Sequence, residues 1–108
     1  IFPEALDDFD DYLELLDEAQ FLLERQGYEG VYQVASFHPQ YRFADARGDD
    51  AANYTNRSPY PMLHLLREER VEQALQRYPN PEKIPENNVQ VARQRGLQAM
   101  RALREACL

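Results

Sequence analysis

Apolar residues recur at three- and four-residue spacing between Asp7 and Gln26. Phe9, Leu13, Leu16, Ala19 and Leu23 form the stripe, and Tyr12, Leu15 and Leu22 widen it. This period predicts an amphipathic helix. Asp7, Asp8, Asp10 and Asp11 crowd its first turn, where carboxylates suit the positive end of the helix dipole, and Gly27 follows as a C-cap. After Gly30 the pattern changes. Val31 to Phe37 is apolar on most of both faces, which predicts a central, covered strand. His38-Pro39 ends it, because proline cannot donate to a β-ladder.

Residues 39–57 carry no convincing period, and Gly48, Asp49, Asp50 and Asn53 mark turns. A loop of this length in a compact domain is functional or mobile. Ser58-Pro59 then reads as a helix start, with Ser58 as N-cap and Pro59 at the first helical position. That helix is expected to run through Met62, Leu63 and Leu66 to the neighbourhood of Glu69. Val71 to Arg77 reads as a further helical stretch, closed by Tyr78-Pro79-Asn80-Pro81. A last helix, from the region of Asn88 to Ala106, has small, sparse apolar positions that include Gly96. Together these elements predict an α+β fold, helix-rich, with a small sheet packed against several helices and residues 1–108 forming one domain.

Charge narrows the possible partners. The 108 residues carry a formal net charge of −7. An acidic surface repels phosphate backbones, so no nucleic-acid partner is expected, and the arginines Arg93, Arg95, Arg101 and Arg104 read as a solvated helix face. No apolar run approaches the roughly 20 residues that cross a bilayer, so no membrane partner is expected either. The one cysteine, Cys107, cannot form an internal disulfide, which fits a cytoplasmic setting. Ile1-Phe2-Pro3 reads as the tail of a strand, and the chain as the C-terminal part of a longer protein.

The candidate chemistry gathers in one stretch. Both histidines, His38 and His64, lie between Ser36 and Glu68, together with Asn53-Tyr54-Thr55-Asn56-Arg57-Ser58. A helix N-terminus at Ser58, beside a guanidinium and two hydroxyls, would accept an anion. Arg57 could clamp a carboxylate or phosphate, and Asn53, Asn56 and Ser58 would position it. His38, at a strand end, and His64, one helical turn before Glu68, are the candidates for a general acid or base. Against this stands a plain structural alternative. The amides satisfy loop backbone, the histidines pack, and Arg57 pairs with a surface carboxylate.

Other chemistries fit less well. The acidic first turn lacks the ligand spacing and glycine of a calcium loop. No close histidine pair or HExxH marks a zinc site, Ser58 lacks the glycines of a nucleophile elbow, and no glycine-rich phosphate loop occurs. No metal and no cofactor is called for.

These same residues resemble a known family, the domain of unknown function 1415. The likeness rests on Ala35-Ser36-Phe37-His38-Pro39, Tyr41 and Phe43, the string from Asn53 to Pro61, and His64-Leu65-Leu66-Arg67-Glu68. Asp8-Phe9 with the helix after it, and Tyr78-Pro79 through Ile84-Pro85, also fit the family's layout. The resemblance implies longer relatives with an upstream Asn-Leu-Cys-Pro-Phe segment and another strand. This chain departs from the family pattern at Phe2-Pro3, where His-Pro is expected. The resemblance implies no particular reaction.

Two functions therefore stand side by side. One is a protein with a polar, anion-accepting site for a small carboxylate- or phosphate-bearing molecule, as an enzyme or a binder. The other is an interaction module that uses the 40–57 loop, and it predicts an exposed apolar patch containing Tyr54 and Tyr60.

Overall fold

A computed structural model describes residues 1–108. Four α-helices and one two-stranded antiparallel sheet make an α+β fold. Helix α1 spans Phe9–Arg25. It starts where the Asp8 carboxylate accepts the N–H groups of Asp10 (2.9 Å) and Asp11 (3.1 Å). At its far end Tyr28 N–H donates to Leu23 C=O (2.8 Å) and Gly27 N–H to Glu24 C=O (3.1 Å). That is a Schellman closure, and Gly27 supplies its left-handed backbone at φ 81°.

Strand β1, Tyr32–Phe37, pairs only with β2, Met62–Arg67, with Ala35 opposite His64 and Phe37 opposite Met62. Two expectations are corrected here. In a two-stranded sheet β1 is not central. And the segment after Ser58 is a strand where a helix was expected. Pro59 and Pro61 each push the residue before them toward extended backbone, and the run that follows finds its partner in β1. Helix α2 begins only at Glu68 and runs to Leu75, its first N–H reaching Val31 C=O (2.9 Å).

The expected last helix is also two. α3 spans Ile84–Arg95 and α4 spans Leu97–Glu105. Gly96 separates them at φ 88°, ψ 164°, a conformation that breaks any helix and that side chains on Cβ resist. Two short 3₁₀ turns, Ala51–Thr55 and Pro81–Lys83, complete the chain.

Only nine residues are buried, and the apolar ones among them (Tyr12, Ala51, Ala52, Tyr54, Ala92) are mostly small. So thin a core gives hydrogen-bonded locks a large share of the stability. The Ala51–Thr55 turn packs on α3 and α4. Asp50 accepts Ala52 N–H (2.9 Å) and also takes Arg93 Nε (3.2 Å) and Nη2 (2.9 Å) from α3. Hydrogen bonding from Arg93 holds the Asp50 carboxyl below the usual range, helped by Ala52 N–H.

Tyr12 is the clearest lock between α1 and the sheet. Fully buried, its hydroxyl accepts Phe37 N–H (3.0 Å) and donates to Met62 C=O (2.7 Å), bridging β1 to β2. Burial pushes the phenol's pKa up. Tyr12→Phe leaves both backbone groups short of a partner and is expected to destabilise by about 1–3 kcal/mol. Urea titration of the two proteins measures this, and an equal midpoint would remove the bridge from the account of the fold.

Candidate functional site

The Ser36–Glu68 stretch is built as a locked loop. Asn53 is fully buried; its Oδ1 accepts Phe43 N–H (3.0 Å) and its Nδ2 donates to Arg47 C=O (2.7 Å). Asn56 Nδ2 donates to Ser36 C=O (2.9 Å), while its own carbonyl accepts His38 N–H (3.2 Å). One residue thus covers the outer edge of β1 at its C-terminal end. Arg57 reaches back into the same loop, Nε to Tyr41 C=O (2.9 Å) and Nη2 to Gly48 C=O (3.0 Å).

Ser58 is buried, but it caps no helix. Its hydroxyl donates to Tyr60 C=O, two residues on, in the turn that leads into β2. The anion site expected at a Ser58 helix N-terminus has no helix to stand on.

The histidines are placed apart in character. His38 is fully buried between the rings of Phe9 (centroids 5.2 Å apart) and Tyr12 (5.0 Å). Gln40 N–H donates to its Nδ1 (2.9 Å), so the proton sits on Nε2 and goes to Leu6 C=O (2.8 Å). Both ring nitrogens are engaged by backbone. His64, expected on a helix beside Glu68, is exposed on β2 opposite Ala35. Neither imidazole, nor Asn53, Arg57 or Ser58, lines any of the three surface clefts. Asn56 lines one, of about 550 Å³, between the Ala51–Thr55 turn and α3. No group of three or more His, Cys, Asp or Glu side chains is arranged to hold a metal ion. The apolar patch of an interaction loop is not formed either, since Tyr54 is buried and only Tyr60 is exposed.

What the sequence did not disclose is a gathering of cations around Tyr54. The Arg57 guanidinium lies 4.7 Å from the centre of its ring, and that of Arg104, from α4, lies 5.8 Å away. Arg104 Nη1 also donates to Pro39 C=O (2.8 Å). Burial acts to raise the Tyr54 pKa, yet the approach of Arg101 and Arg57 to its oxygen, with the charge of Arg104, brings it below the ordinary value. The ion pairs of the structure, Arg47–Asp49 and Arg93–Asp50, involve none of these three arginines. Arg101 and Arg104 sit three apart on one helix face, the only signal of this in the sequence.

The architecture is therefore a helix-rich α+β protein whose motif residues knit a long loop onto a two-stranded sheet. The chain belongs to the family described as a protein of unknown function (DUF1415), which matches it over residues 1–102. No curated protein and no solved structure matches the chain. No helix is long and apolar enough to cross a membrane.

Proposed function

We propose that this protein binds a small anion at Arg57 and Arg104, which share the ring of Tyr54. The single observation behind this reading is two guanidiniums, Arg57 at 4.7 Å and Arg104 at 5.8 Å from the centre of one ring, neither of them in an ion pair, in a chain of net charge −7. Like charges held close repel, and an anion placed between them offsets that cost. In this reading Asn53, Asn56 and Ser58 shape the loop that holds Arg57 in place, as their backbone partners indicate. His38 clamps the frame, and His64 lies outside the site. The protein acts as a binder of carboxylate- or phosphate-bearing molecules, with no catalytic step assigned.

Isothermal titration with phosphate and with citrate, at constant ionic strength against chloride, tests the proposal. Saturable binding is expected, and Arg104→Gln should weaken it by about tenfold, the loss of one charge-assisted hydrogen bond. Glutamine at 104 removes the charge and keeps an amide donor for the Pro39 carbonyl. Arg57→Ala would also release the carbonyls of Tyr41 and Gly48. No saturable heat with either anion sinks the reading.

A further inference from the structure

We infer that β2 pairs edge to edge with β2 of a second copy of this chain, antiparallel about a two-fold axis at Leu65, so that two molecules share one four-stranded sheet. This inference is independent of the anion reading above. It starts from the phase of the ladder. Glu68 N–H donates to Val31 C=O (2.9 Å), and Met62 C=O faces β1, where Tyr12 bridges it to Phe37 N–H. In an antiparallel pair, alternate residues of a strand turn their backbone groups toward the partner strand. Met62, His64, Leu66 and Glu68 therefore serve β1, and Leu63, Leu65 and Arg67 present N–H and C=O to the outer edge.

The two outer edges of the sheet differ. Along β1, Tyr32 N–H goes to Tyr28 C=O (3.1 Å), and Asn56 takes Ser36 C=O (2.9 Å) and His38 N–H (3.2 Å). Along β2 the chain enters at Pro61, whose C=O accepts Phe2 N–H (2.9 Å), and α2 starts at Glu68. Between these bounds no group of the chain meets the outward N–H and C=O of Leu63, Leu65 and Arg67. Exposed edges commonly carry lysine, proline or a bulge that deters pairing. Leu63-His64-Leu65-Leu66 carries none of these, and Leu65 in its middle is 58% exposed.

Surface area points to a second copy as the occupant. A folded monomer of 12.7 kDa exposes roughly 6,200 Å². This chain exposes 8091 Å², roughly 1,900 Å² more, and a standard interface takes about 800 Å² from each partner. A two-stranded sheet is also marginal by itself, and further strands stabilise it. The bounds at Pro61 and Glu68 leave Leu65 at the centre of the free stretch, which fixes the register. Leu65 then meets Leu65 of the second copy, and Leu63 meets Arg67 of the second copy, each pair exchanging both backbone bonds. No like charges face each other, since His64 falls opposite Leu66.

Sedimentation velocity of the full chain from about 1 to about 100 µM tests this, with a dimer half-dissociated at about 10 µM expected of a small interface. Leu65→Lys and Leu65→Glu each set like charges face to face and should raise that midpoint by about tenfold or more. Both leave the β1–β2 ladder in place, because the outward groups of Leu65 take no part in it. An equimolar mixture of the two variants should regain a dimer, since opposite charges then meet at the axis. Monomer at every concentration overturns the inference and leaves the edge to a strand of other sequence. A dimer indifferent to both substitutions overturns the pairing through β2. A mixture that dissociates as readily as either variant alone overturns the register.

Discussion

Replacing His38 by alanine should lower the unfolding free energy by about 3 kcal/mol, whereas His64→Ala should change it by less than about 0.5 kcal/mol. The two histidines are the same residue type within one stretch, so the contrast isolates position. His38 has no exposed surface, and its ring joins two backbone segments: Leu6 C=O on Nε2 at 2.8 Å and Gln40 N–H on Nδ1 at 2.9 Å. Alanine leaves both groups without a partner and opens a hole beside Phe9 and Tyr12. Leu6 adds to the effect. It is the one non-glycine residue with positive φ, at 64°, a conformation that costs roughly 1–2 kcal/mol and needs something to hold it. The imidazole on its carbonyl is that hold. His64 is exposed on β2 and has no such partner. Urea denaturation of the three proteins measures the difference, and a His38→Ala cost under about 1 kcal/mol would sink the clamp.

The parts of the fold that could be read from the sequence are those where one local rule acts unopposed. From Phe9 to Arg25 period, acidic first turn and closing glycine all agree, and α1 is there. β1 was legible for the same reason, a short apolar run between Gly30 and His38-Pro39. Met62 to Arg67 is where two rules overlap. Pro59 fits the first turn of a helix and also the approach to a strand, and Met62, Leu63 and Leu66 satisfy helical spacing by coincidence. What decides is the pairing with β1, a contact between distant residues that no local pattern records. Gly96 was read as one more small position on a helix face, because a glycine there is compatible with both a packed helix and a break.

The candidate site was legible in a similar, partial way. The density of amides, hydroxyls and an arginine from Asn53 to Ser58 marked a stretch that matters, and the structure fills it with hydrogen bonds. Their partners are almost all backbone carbonyls and amides of the loop itself. A polar cluster that builds a binding surface and one that locks a loop use the same residues. They differ only in what lies at the other end of each bond. Arg57 does both, bracing Gly48 and Tyr41 while its charge faces Tyr54. Its companion at the ring, Arg104, belongs to a helix far along the chain, which by sequence reads as solvated.

Asn53→Asp should be the more damaging of two substitutions at the centre of that lock, costing about 3–5 kcal/mol at neutral pH against about 2–3 kcal/mol for Asn53→Ala. The amide is fully buried and uses both ends. Oδ1 accepts Phe43 N–H, and Nδ2 donates to Arg47 C=O at 2.7 Å, so one side chain spans the two flanks of the loop. Alanine removes both bonds and leaves a small void. Aspartate keeps the acceptor and nearly the same shape, but sets a negative oxygen against the Arg47 carbonyl in a place water does not reach. Burial raises such a group's folded-state pKa, so the folded protein binds its proton more tightly than the unfolded chain does. The extra cost of the carboxylate is therefore full above the raised folded pKa and fades as pH falls toward the unfolded value near 4. A protonated acid can also donate to the Arg47 carbonyl. Measured relative to the unsubstituted protein, the deficit of Asn53→Asp should shrink on going from pH 7 to pH 5, while that of Asn53→Ala stays constant. If aspartate is tolerated as well as alanine at pH 7, or its deficit ignores pH, then water reaches position 53 and the loop is not closed by this residue.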